Sequence, residues 1–130
     1  MTITVSGSMK HATKMEALKV KLEALGHLVH LPEMSEAGLK GEKLRARKPM
    51  LIQDHTEKIK KSDALLVANY PKNDIDGYIG GNTFLEMGMA YMVGKPIYLI
   101  SPIPELAYTD EIYGLEPIIL YGKLDGIRRT

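Results

Sequence analysis

Cysteine and tryptophan are absent from the 130 residues, and phenylalanine occurs once. Without thiols there are no disulfides, no thiolate metal sites and no cysteine nucleophile, which suits a reducing compartment. An excess of charge is missing too. Lys and Arg number 17 against 16 Asp and Glu, a formal net charge of +1, so no global basic field points to nucleic acid or an anionic membrane. Any anion site has to be local. No apolar run approaches the roughly 20 residues that cross a bilayer, and Met1 to Val5 shows no basic segment leading into an apolar one. The expectation is a cytoplasmic protein that does not insert into a membrane. What is present, 45% hydrophobic and 25% charged residues, suffices for one core in one domain spanning residues 1–130.

Five short runs rich in β-branched and apolar residues read as buried strands: Ile3 to Ser6, His27 to Leu31, Ala64 to Asn69, Pro96 to Ile100 and Pro117 to Tyr121. Helical patterns lie between them. Met15, Leu18, Leu22 and Leu25 make one apolar face from about Lys10 to Leu25, and Gly26 stops it. Met50, Ile52, His55 and Ile59 do the same from about Pro49 to Lys61. A third helix is predicted from Thr83 to Met92 before Gly94, and a short fourth between Pro104 and Tyr113. Alternating strands and helices predict an α/β fold: a flavodoxin-like, Rossmann-like, doubly wound sheet of five parallel strands in the order 2-1-3-4-5. Ligands then bind beyond the carboxyl ends of strands one and three, where the order reverses. Gly38 to Lys48, with Lys40, Lys43, Arg45, Arg47 and Lys48 against Glu42, reads as a solvated loop or irregular helix start, or else as a lid whose cations meet an anionic substrate.

Residues near that reversal carry the candidate chemistry. The first strand ends in Ser6-Gly7-Ser8-Met9-Lys10, a turn whose free N–H groups can receive an anion with Lys10 adding charge; Ser8 is equally well a helix N-cap. After the third strand, Asn69 to Asn82 forms a long loop with three glycines, two aspartates and two tyrosines, and connections of that length are suspected of function. Tyr70 and Tyr78 offer aromatic faces and hydroxyls to whatever that loop contacts. Glu86 falls in the first turn of the helix that follows, where Thr83-x-x-Glu86 also matches a capping box with no catalytic role. Gly88 and Ala90 read as small residues for close packing against the sheet. His11, His27, His30 and His55 show no metal-ligand pattern, and neither a metal nor another cofactor is expected.

Asn82-Thr83-x-x-Glu86-x-Gly88-x-Ala90, followed by Gly94-Lys95-Pro96-Ile97, resembles the motif of the nucleoside 2-deoxyribosyltransferase superfamily. Gly7-Ser8-Met9-Lys10 is similar to the first loop of its branch that hydrolyses 2′-deoxynucleoside 5′-monophosphates, and Ser62 to Val67 resembles the family's approach to its third strand. The resemblance implies Glu86 as nucleophile, Asp54 as the second acid, and Ser8, Lys10, Gly80, Gly81 and Asn82 as substrate contacts, with Gly7 and Tyr78 beside them. Gly80 stands where transferases of the family often carry an Asp, and Asp76 lies in a longer loop. Loss of that acid suits a phosphate better than a free nucleoside. The implied activity is hydrolysis or transfer at the N-glycosidic bond of a nucleoside 5′-monophosphate or nucleoside. The alternative is a catalytically silent nucleotide-binding or sensing module. A small-molecule nucleotide or nucleoside is the expected partner, and the resemblance implies a homodimer or higher homo-oligomer.

Overall fold

The computed structural model describes residues 1–33 and 38–128. Five parallel strands, β1 (Thr2–Ser6), β2 (Leu28–His30), β3 (Ala64–Val67), β4 (Ile97–Leu99) and β5 (Ile118–Ile119), lie in the order β2-β1-β3-β4-β5. The order is the one read from the alternation of strands and helices. Helices α1 (Ala12–Ala24), α2 (Gly41–Lys61), α3 (Gly81–Met92) and α4 (Thr109–Gly114) connect them. No described helix is long and apolar enough to cross a membrane.

Period-two alternation sends the strand residues to two cores. Ile3 and Val5 of β1 join Ala64 and Leu66 of β3 against Met15, Leu18 and Leu22 of α1. Leu65 and Val67 face the other way, toward Ile59 of α2, Met87 and Ala90 of α3 and Ile112 of α4. Thr4 and Ser6, the alternate residues of β1, are fully buried hydroxyls, and such groups need partners. Thr4 Oγ1 meets Ser62 Oγ at 2.5 Å, and Ser6 Oγ meets His55 Nε2 at 3.1 Å. A polar seam therefore runs between the centre of the sheet and α2.

Helix α2 starts at Gly41, eight residues before the predicted start at Pro49, so the basic stretch from Lys43 to Lys48 is helical. Pro49 reads as a first-turn residue because that is where proline is best tolerated, yet it sits inside the helix. The buried stripe is Leu51, His55 and Ile59, an i, i+4, i+8 series; Met50, predicted on that face, is 62% exposed. The predicted fourth helix is also shorter than expected, beginning only at Thr109.

Candidate active site

The turns after β1 and β3 open side by side at the carboxyl edge of the sheet. Gly7 is held there by space: a Cβ on it would come within 3.1 Å of Met15 Sδ and 3.2 Å of the Ala68 carbonyl. From Ala68 to Gly80 the long loop is anchored by Asn69, whose amide oxygen accepts from Ser101 N and whose nitrogen donates to Ser101 O, each at 2.9 Å. Lys72 and Ile75 exchange two backbone hydrogen bonds across Asn73 and Asp74, both with positive φ, a tight reversal of the chain. Gly77 has φ +69°, and a Cβ there would lie 2.6 Å from the Pro102 carbonyl.

Helix α3 begins at Gly81 with Gly80 as its N-cap, and no side chain caps it. Two expectations change. Thr83 is the third helical residue and not the cap, so Thr83-x-x-Glu86 is not a capping box. Glu86 stands in the second turn and not the first, beyond most of the reach of the helix dipole. It is nevertheless 6% exposed, too buried for a solvated surface charge. Ala90 is buried as expected, whereas half-buried Gly88 leaves open space where a Cβ would stand, with no described atom outside its own helix backbone within 4 Å.

The neighbour of Glu86 is a residue the sequence reading set aside. His55 Nε2 lies 3.5 Å from Glu86 Oε2 and 3.1 Å from Ser6 Oγ, and the ring is 5% exposed. Burial first, and then the Lys58 charge, push the His55 pKa down to about 4 against a hydrogen bond to the Val5 main chain and with a small further push from His30. At neutral pH the imidazole is uncharged. Pattern alone placed His55 on the buried face of α2, but its partner comes from a helix 31 positions later.

Glu86 and His55 line a narrow recess whose wall also holds Asp54, Leu51 and Lys58. Asp54 itself is solvent-exposed, so the burial that a proton-donating role would draw on is absent. A second hollow of about 290 Å³ shares Gly7, Lys48 and Asn82 with that recess, near the roughly 300 Å³ at which small-ligand pockets begin. The hollow gathers Ser8, Tyr78, Gly80 and Gly81 as predicted, together with His11, Tyr70 and Lys72. Ser8 caps the 3₁₀ turn Met9–His11, its Oγ accepting from Lys10 N at 3.3 Å, and it also accepts from Lys72 Nζ at 3.0 Å. Lys72 lies 5.6 Å from the centroid of the Tyr78 ring. Lys10, the predicted cation, is exposed and outside the walls of both cavities; Lys72 and Lys48 stand there instead. With the uncapped start of α3 on the same side, the hollow favours an anion. Asp76 lines a separate depression with Asp74 and Pro102. Asp63, read as a structural acid, accepts from Thr2 N at 2.7 Å.

Comparison with solved structures finds the same fold in known enzymes. A 2-deoxyribosyltransferase from the psychrotolerant bacterium Bacillus psychrosaccharolyticus superposes with a TM-score of 0.58 at 24% identity, over 82% of this chain and 76% of that one. The CMP N-glycosidase BcmB of Clostridium botulinum gives 0.58 at 22% identity, over 95% and 91%. FerB, a flavoenzyme NAD(P)H:(acceptor) oxidoreductase from Paracoccus denitrificans, gives 0.52 at 18%, over 91% and 74%. The likeness is one of fold. No protein-family model matches the sequence, and no curated protein does. A framework shared with a flavoenzyme leaves the choice of chemistry to the side chains in the crevice.

Proposed function

We propose that this chain is an enzyme that cleaves or transfers the N-glycosidic bond of a nucleoside 5′-monophosphate, with Glu86 as the nucleophile. The observation that carries the reading is a carboxylate 6% exposed, facing a narrow recess that adjoins a cationic hollow. Two of the structural neighbours, a 2-deoxyribosyltransferase and a CMP N-glycosidase, support the same reaction class. In this reading the phosphate occupies the hollow among Lys72, Lys48, Ser8 and the N–H groups of Gly81 and Asn82. Tyr78 packs on the nucleoside, and Asp54 accepts a hydrogen bond from a sugar hydroxyl at the mouth of the recess. A Glu86 oxygen attacks the anomeric carbon, the base leaves with the bonding electrons, and water or a second base releases the sugar. The preference for a nucleotide over a nucleoside follows from the lysines and from Gly80 standing where an acid would repel phosphate. A homodimer or larger homo-oligomer belongs to the same reading.

The test is base release from a panel of ribo- and deoxyribonucleoside monophosphates and the matching nucleosides, followed by chromatography. Wild-type protein should release a base from at least one monophosphate, and Glu86→Gln should lose on the order of a thousandfold or more while remaining folded by circular dichroism. Tight binding of a nucleotide with no release from any substrate would instead establish a silent binding module.

A further inference from the structure

Among the described residues, one buried side-chain polar atom is left without a hydrogen-bond partner: Nε2 of His11. Orphans of this kind are rare and call for an explanation. His11 ends the 3₁₀ turn that Ser8 caps, and its ring forms part of the wall of the cationic hollow. Tyr70 stands edge-on to it, the ring centroids 5.5 Å apart at 69°. The ring is also hydrogen-bonded to the Pro71 main chain. Proline has no N–H, so the imidazole is the donor in that bond and the Pro71 carbonyl accepts. With Nε2 unpartnered, the donating nitrogen is Nδ1. A neutral imidazole has one proton to give, and Nε2 is then a bare lone pair.

The charges around the ring are of one sign. Burial first, then Lys14, Lys72 and Lys10, hold the His11 pKa below its ordinary value, against the Pro71 bond. Lys14 from α1 lies 5.1 Å from the centroid of the Tyr70 ring, and Lys72, from the loop after β3, donates to Ser8. Lys48 from α2 lines the same hollow, and no carboxylate is among its described walls. Tyr70, its hydroxyl pushed upward by burial, adds no negative charge at neutral pH. An anion is the partner this surround lacks.

We propose that His11 is a ligand of the anion in this hollow, donating from Nε2, as an imidazolium, to an oxygen of a phosphate dianion. Such a phosphate presents acceptors, and a bare Nε2 would repel them, so the contact requires a second ring proton. Binding therefore takes up a proton: the anion offsets the lysines that keep the ring of the free protein uncharged. Affinity is fully developed at acid pH and is lost as pH rises through the His11 pKa of the complex. That the anion is the 5′-phosphate of a nucleotide rests on the function proposed above; the proton uptake does not.

The test uses sulfate, a dianion at every pH of interest, and ribose 5-phosphate, which has no base to lose, with ribose as the uncharged control. Affinities are measured by calorimetry from pH 6 to 8.5 in wild type and His11→Gln, and the His11 ring nitrogens of wild type are followed by NMR. Wild type should bind sulfate more weakly as pH rises, approaching about tenfold per pH unit at the alkaline end. At pH 7 the His11 signals should pass from the neutral to the imidazolium form on saturation with either anion. His11→Gln should bind sulfate with little dependence on pH, and ribose should leave the His11 signals unmoved. A ring that stays neutral in the saturated complex would overturn the inference, as would equal pH profiles in the two proteins. The NMR result needs no variant, so it decides even if His11→Gln does not fold. Base release from monophosphates with His11 neutral in the complex would remove this inference alone. Proton uptake on sulfate, with no base released from any substrate, would keep the inference and remove the proposed reaction. Failure of both anions to bind would remove the anion site, and the inference with it.

Discussion

The two parts of the crevice are built by different means. At the floor of the recess Glu86 sits among side chains from the faces of packed elements, Ser6 from β1 and His55 from α2, and all three are buried. The adjoining hollow is walled by turns, with Ser8, Lys72, Tyr78 and Gly80 partly exposed. Packing buries the side chains of the first, so charge on them carries large energies. The second keeps its charges near solvent, where they are screened and tune pKa values only weakly.

The contrast breaks most visibly under acid. Burial holds the His55 pKa at about 4 in the folded protein against 6.5 when unfolded. The folded form then binds fewer protons than the unfolded one between those values. Stability should therefore fall as pH drops from 6.5 toward 4, by on the order of 3 kcal/mol, measured by urea unfolding. In His55→Gln that group is gone, and the decline should be much shallower. Equal slopes would erase the distinction drawn for the recess.

A smaller effect is expected where the turns are pinned. Gly77→Ala places a Cβ against the Pro102 carbonyl at a backbone angle that favours glycine, and should cost about 2 kcal/mol in thermal or urea unfolding. Base release at saturating substrate should survive if the hollow only positions the ligand. Smallest is the effect of Lys72→Ala, which should raise KM for a nucleoside monophosphate about tenfold, some 1.4 kcal/mol, and leave the matching nucleoside unchanged. An equal rise for both would remove phosphate from the hollow.

Legibility in the sequence followed the same division. The sheet order was legible because strands alternate with helices along the chain, which calls for right-handed crossovers and a doubly wound parallel sheet. Glycines, Ser8 and Tyr78 marked the turn-built hollow, since turn chemistry is local and shows as composition. The recess was half visible. Glu86 stood out within its motif, but the start of α3 was misplaced by two residues, which lent it a capping box it does not form. His55 could be assigned to a buried face and no further, because its meeting with Ser6 and Glu86 exists only once three elements pack. Lys72 and Lys48 displaced Lys10 for a similar reason: the direction of a side chain leaving a turn is not written in its neighbours.

Pro49 divides α2 into halves of unequal cooperativity. Lacking an N–H, it leaves the Arg45 carbonyl without its usual intrahelical donor, and the residues before it, Gly41 to Lys48, are mostly exposed. Beyond it Leu51, His55 and Ile59 are anchored in the protein interior. The first half can therefore open at a lower free energy than the second, as a separate unit of hydrogen exchange. Lys48 belongs to the labile half and His55 to the stable one, so the cationic wall shared by recess and hollow can yield while the buried contact of His55 with Ser6 and Glu86 stays assembled.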